Sequence, residues 1–179
     1  ANGGNYLIEN NIISNNDGGG IHFTFDAQAQ INRVLFDNND RPQGGAIYSE
    51  GSSDLIIDNS TFVNHNHTYH GDGGSSITHI RNSIFTDVAD DVMGGNPLLY
   101  IEYSNLSGGG FGVDSWLSPG NGIIYLEGNI YDDPQFTDPE NGDFTLQFTS
   151  PCIDSGNPDL DGDGDNYLID SDDQDPDGT

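Results

Sequence analysis

A spaced pattern, Ile57-x-Asn59-x-x-Phe62-x-Asn64, recurs along the first 130 or so residues of this chain. An aliphatic residue stands five before an anchor, often with Asn three before it, and Asn, Asp or Gly follows two after. The earlier copies are Ile8, Asn10, Ile13, Asn15 and then Ile31, Arg33, Phe36, Asn38. The later ones are Ile80, Asn82, Phe85, Asp87; Ile101, Tyr103, Leu106, Gly108; and Leu126, Gly128, Tyr131, Asp133. Anchor to anchor, the steps are about 23, 26, 23, 21 and 25 residues, inside the period range of stacked repeats. Every copy is apolar at both the early and the anchor position, although only 32% of the chain is hydrophobic.

A unit this short cannot bury a core of its own and must stack on its neighbours. The intervals hold no amphipathic helical run. They offer short β-prone pieces, such as Leu55-Ile56-Ile57 and Ile123-Ile124-Tyr125-Leu126, separated by Gly, Asn, Asp and Ser. Asn between two short strands suits a tight corner, because it tolerates the left-handed conformation. Stacked in register, such Asn side chains can also hydrogen-bond along a ladder. The expected fold is all-β, a right-handed parallel β-helix of about six rungs, which at about 4.8 Å per rung stands about 29 Å tall. Leucine-rich repeats share the period but need several Leu per unit, and Leu is sparse here. A propeller needs blades of roughly 40 residues.

The charge is extreme. Thirty acidic residues face Arg33, Arg41 and Arg81 with no lysine, for a net charge of −27. Such a surface repels nucleic acid and anionic membranes and attracts cations. High charge with low hydrophobicity also marks disorder; the periodic Ile and Phe argue against that for residues 1–150 but not for the last 25. The lone Cys152 excludes an intrachain disulfide and reads as a small buried residue. No stretch approaches the roughly 20 apolar residues of a membrane span. The chain opens directly in a rung-like pattern without a signal peptide, as a processed product or a piece of a longer chain does.

Glycine runs, Gly18-Gly19-Gly20-Ile21 and Gly44-Gly45-Ala46-Ile47, follow the first two rungs and open strands, where positive φ is needed. His65, His67 and His70 fall in one short stretch and suggest a transition-metal or catalytic site, but a polar solvated loop over a rung corner is the favoured reading. Asp90-Asp91 is a conceivable carboxylate pair, yet adjacent Asp is expected by chance in so acidic a chain. Phe111 and Trp116, in the longest insertion, suit either a sugar-stacking platform or, the favoured reading, a loop pinned to the solenoid wall.

From Asp132 the texture changes to Asp132-Asp133-Pro134-Gln135-Phe136, Gly142-Asp143-Phe144-Thr145-Leu146 and Ser150-Pro151-Cys152-Ile153-Asp154-Ser155-Gly156. This series resembles the closing segment of bacterial right-handed β-helix repeat proteins of the pectate-lyase-like superfamily. The resemblance covers residues 120–179 well and the earlier rungs only as a general pattern. It implies a secreted or surface-displayed bacterial protein, and a fold more firmly than an activity. The expected organisation is rungs over 1–133, a closing segment over 134–156 and an acidic loop over 157–179.

In that loop, acidic residues fall at positions 1, 3, 5, 7 and 12 counted from Asp159, namely Asp159, Asp161, Asp163, Asp165 and Asp170, with Gly164 at position 6. This is the spacing of an EF-hand-type loop that wraps Ca²⁺ in hard oxygen ligands. Tyr167 would contribute its carbonyl or a water. Asn166 replaces the usual aliphatic residue, and Asp170 replaces the longer bidentate Glu. Ten Asp lie within residues 154–177 with no base among them, so a cation is needed to offset their repulsion.

These features favour a non-catalytic structural or adhesive module, stiffened by calcium and belonging to a longer chain or a filament. Open solenoid ends invite end-to-end self-association. A lyase or glycoside hydrolase acting on acidic polysaccharide is the enzymatic alternative. Lyases of the resembled superfamily use a Lys or Arg base, and this chain has no Lys. A non-catalytic carbohydrate-binding module, using Phe111, Trp116 and the calcium site, is the third reading.

Overall fold

The computed structural model describes residues 2–41, 44–72, 74, 76–86, 98–108 and 122–159. Their strands, in chain order, are β1 (Asn2–Glu9), β2 (Ile12–Ser14), β3 (Ile21–Asn32), β4 (Leu35–Asp37), β5 (Ile47–Glu50), β6 (Asp54–Asp58) and β7 (Thr61–Val63). There follow β8 (Tyr69–Asp72), β9 (Ile77–Arg81), β10 (Ile84–Phe85), β11 (Leu98–Glu102), β12 (Gly122–Tyr125), β13 (Phe136–Asp138) and β14 (Asp143–Leu146). No helix of the described residues is long and apolar enough to cross a membrane.

The first twelve strands pair only in parallel and form a solenoid with three faces. The first face runs β12-β11-β9-β6-β3, with β1 on the other side of β3. The second runs β10-β7-β4-β2. The third exists because β3 bends at Phe25 and Asp26, both left-handed at φ 50° and 56°. Its leading half, from Ile21 to Thr24, turns away to pair with β5, which pairs in turn with β8. Among the described residues, six strands stack on the first face and four on the second, which makes about four complete turns. In the last two rungs isolated bridges, Ile84 to Asn105 and Asn105 to Ile130, carry the second face onward. There Asn105 spends its side chain on the Asp132 carbonyl and the Ser107 amide instead of lying in a regular strand.

The repeat is visible as columns of side chains. Ile31, Ile57, Ile80 and Ile101 align in register and are buried. The sixth early position slips by one residue: Tyr125, not Leu126, pairs with Ile101, and Leu126 is exposed. The anchors Phe36, Phe62 and Phe85 stack inside the second face with ring centroids 4.7 and 4.4 Å apart and planes within 7°.

Corners obey the sequence pattern closely. Asn10, Arg33, Asn59, Asn82 and Tyr103 all sit at φ between 46° and 53°. Arg33 occupies an exposed corner, and its Nε donates to Asn10 Oδ1 at 3.0 Å. At the next corner, Asn38 Nδ2 donates to Asn15 Oδ1 at 2.8 Å and Asn64 Nδ2 to Asp37 Oδ1 at 2.7 Å. Just inside the first corner runs a buried serine ladder. The amides of Val34, Ser60 and Ser83 donate to Ser60, Ser83 and Ser104 Oγ of the following rung. Each hydroxyl donates to a carbonyl of its own rung, on Asp58, Arg81 and Glu102. Corner amides that face no strand partner are thereby satisfied, which a buried backbone group requires.

Gly20 shows why glycine precedes the third face: a Cβ there would come within 2.6 Å of the Ala46 carbonyl. Gly44 supplies a positive φ of 63° in the following rung.

After the last rung, β13 and β14 form an antiparallel hairpin around the short turn Pro139–Asn141. The Asp143 carboxylate accepts the Thr145 hydroxyl and amide, which hold its pKa below the ordinary carboxylate range. Residues 150–159 then return to the solenoid. Asn105 Nδ2 donates to Cys152 Sγ at 3.1 Å, and the Asn157 amide donates to Asn82 Oδ1 at 2.7 Å. Cys152 is a free thiol, half-buried rather than fully enclosed, and its burial pushes the pKa up.

Candidate functional site

Alternation along each strand sends one column of the first face outward: Leu7, Gln30, Ile56, His79, Tyr100 and Ile124, paired in register from rung to rung. Each is the residue immediately before an inward one, as a period of two dictates. A parallel column of Asn5, Gln28, Asp54 and Ile77 runs beside it. From Asn5 and Leu7 to Ile77 and His79, these two columns line an open groove of about 600 Å³, with Tyr100 beyond its end. The Asp54 carboxylate accepts the Ile77 amide at 3.1 Å. His79 lies flat on Tyr100, centroids 4.9 Å apart and planes 11° apart. Amides, one carboxylate, exposed aliphatic groups and an aromatic face thus alternate along a surface several rungs long. Such a surface suits an extended ligand with both apolar and hydrogen-bonding faces. At the C-terminal ends of β6 and β9, Arg81 forms a bidentate pair with Asp58, at 2.7 and 2.8 Å, and that hydrogen-bonded partner raises the guanidinium pKa.

The third face carries a second constellation that sequence reasoning missed. His22, Tyr48 and His70 align across β3, β5 and β8. Tyr48 stacks on His70 at 5.0 Å and 8°, while His22 meets Tyr48 edge-on at 4.6 Å. The Arg41 guanidinium carbon lies 4.4 Å from the Tyr48 ring centroid, a cation–π contact. Glu50 Oε2 is 3.4 Å from His22 Nε2, an ion pair whenever the imidazole is protonated. The signal was present: Gly-Gly-Gly-Ile-His and Gly-Gly-Ala-Ile-Tyr place His22 and Tyr48 at one offset after matching glycine runs.

His65, His67 and His70 do not converge, and the stretch is not the solvated loop expected. His65 and His70 are only 6% and 3% exposed. The reason is that these residues form the corner and the return to the third face. His65 packs its Nδ1 against the Asn39 backbone at 3.2 Å, one rung earlier, and the His67 carbonyl accepts the Gly45 amide. Among the described residues no three His, Cys, Asp or Glu side chains are grouped to hold a metal ion.

Of the calcium-loop residues, Asp159 is described. Its amide donates to Asn157 Oδ1 at 3.0 Å, and Asn157 is itself tied to the corner residue Asn82. Asp159 is thereby tied, through Asn157, to the first corner. The Tyr103 phenol there is shifted upward, by desolvation first and then by the charges of Glu127, Glu102 and Asp159. Asp161, Asp163, Asp165, Tyr167 and Asp170 lie outside the described residues, as do Asp90, Asp91, Phe111 and Trp116.

The sequence model of the family described as right-handed β-helix region matches residues 1–136. Comparison with curated proteins and with solved structures produced no match.

Proposed function

The chain belongs to the right-handed β-helix family, and on that premise we propose that it is a non-catalytic structural or adhesive module of a secreted or cell-surface bacterial protein, pectate-lyase-like in its closing segment. The supporting observation is the continuity of the ladders. Isoleucine, phenylalanine, serine and asparagine columns each tie one rung to the next. Polar groups spent this way make a stiff rod rather than a flexible linker. Calcium at residues 159–170, held by Asp159, Asp161, Asp163, Asp165, Asp170 and the Tyr167 carbonyl, would neutralise the acidic end, and hard carboxylate oxygens suit that ion. The single-sided pairing of β1 and β12 among the described residues leaves edges for a further rung of a longer chain or a second copy.

Thermal unfolding with calcium and with chelator, at two protein concentrations, tests this reading. A calcium-dependent rise in melting temperature supports the metal assignment. A further rise with protein concentration supports end-to-end assembly. Identical melting in all conditions removes both.

The groove on the first face favours a second reading, a carbohydrate-binding module that takes an extended polysaccharide along the rod. Saturable oligosaccharide binding lost in His79→Ala supports it; binding indifferent to that change does not.

A further inference from the structure

We propose that the cleft between the last rungs and the closing hairpin is a separate binding site for a neutral sugar unit. The proposal is independent of whether the rod is a surface module, and the site is distinct from the groove on the first face.

The argument begins with a break in the repeat. At the anchor position, Phe36, Phe62, Phe85 and Leu106 are no more than 1% exposed. Tyr131, the next anchor, is 56% exposed and lines this cleft. The ring has a hydrophobic body and a polar tip, suited to a surface that is apolar at one end and wet at the other. In the same lining, Phe136 and Phe144 hold each other nearly perpendicular, with centroids 5.4 Å apart and planes at 83°. That edge-to-face pair fixes the hairpin wall independently of any ligand. Thr86 and Ser107, from the rungs, contribute hydroxyls to the lining, and Asp133 contributes a carboxylate. One Asp133 oxygen accepts the Gln135 amide at 2.9 Å, which holds the side chain in place.

The cleft measures about 390 Å³, towards the small end of the about 300–1,000 Å³ typical of ligand sites and enough for one or two sugar rings. Aromatic walls accept the apolar C–H faces of a pyranose. Hydroxyl groups can donate to and accept from its ring of hydroxyls, and the carboxylate accepts from them. Charge decides which sugars qualify. Among the described residues the lining carries a carboxylate and no cation, and the chain as a whole carries −27, so a uronate would be repelled. The ligand class is a neutral hexose unit.

The test is calorimetric titration of the full chain, in calcium, with cellohexaose, mannohexaose and laminarihexaose, and with trigalacturonate as the anionic comparison. Expected is saturable binding of at least one neutral sugar, with trigalacturonate weaker by about tenfold or more. Tyr131→Ala, a change at an exposed ring, should weaken binding about tenfold or more with an unchanged melting curve, and Asp133→Asn should weaken it independently. His79→Ala should leave it intact. Failure of all three neutral sugars to bind overturns the proposal. So does binding that survives both Tyr131→Ala and Asp133→Asn, equal or tighter binding of trigalacturonate, or loss of binding in His79→Ala, which would move the ligand to the first face.

Discussion

Two aromatic stacks climb the same solenoid in the same rung register, one inside and one outside. Phe36, Phe62 and Phe85 are stacked within the second face and at most 1% exposed. His79 and Tyr100 are stacked just as flatly on the outer side of the first face. The geometry is equivalent, but the energetics are not. Each inner ring removes a large apolar area from water and has no room to vary, because the interior is close-packed. The outer column tolerates Leu7, Gln30, Ile56, His79, Tyr100 and Ile124 at equivalent positions. Register is thus set by the inside, and the outside inherits it as an ordered surface open to ligand chemistry.

The sharpest way to break this contrast is at the centre of the inner stack. Phe62→Ala should cost about 3–5 kcal/mol, since it empties a site enclosed by rings on both sides; denaturant unfolding measures it. Next comes the serine ladder. Ser83→Ala leaves the buried Ser60 amide without its acceptor, while the Arg81 carbonyl keeps the Asn59 amide; the change should cost about 1–3 kcal/mol by the same measurement. Phe25 sharpens the comparison from the other side. It is a bulky residue at φ 50° and 64% exposed, so Phe25→Gly removes left-handed strain without emptying a core. A gain of up to about 1 kcal/mol is expected there. His79→Ala should have the smallest effect on stability, within about 0.5 kcal/mol, while abolishing any oligosaccharide binding in the groove. A large loss of stability in His79→Ala would erase the distinction between the stacks.

Much of the inner register was legible in the sequence because burial imposes a type: Ile at the early position, Phe at the anchor, Asn where φ is positive. The rungs at Ile31, Ile57, Ile80 and Ile101 follow directly. The sixth early position did not, because one additional residue between Tyr125 and Gly128 shifts it, and Tyr and Leu are interchangeable to a pattern of apolar positions. The number of complete turns was overestimated for a related reason. An apolar anchor such as Leu106 or Tyr131 marks a rung but does not require a regular strand around it. The third face was hidden because its strand is continuous with the first through Phe25 and Asp26, where no glycine or asparagine marks the bend. The outer sites were the least legible. Outward positions of the first face obey no size or polarity rule, and His22, Tyr48 and the buried His70 become a cluster only once the register of the third face is known.

In-register stacking is what every one of these statements rests on, and spin-label distances test it most directly. In a Cys152→Ser background, nitroxides are placed at Leu7→Cys with Ile124→Cys, and at Gln30→Cys with Ile124→Cys. All three positions lie on the outer column, five and four rung steps apart. At about 4.8 Å per step the separations are about 24 and 19 Å. The account predicts two narrow distributions differing by about one rung spacing, about 5 Å. Broad distributions, or separations that do not shorten when the label moves from position 7 to position 30, would contradict it.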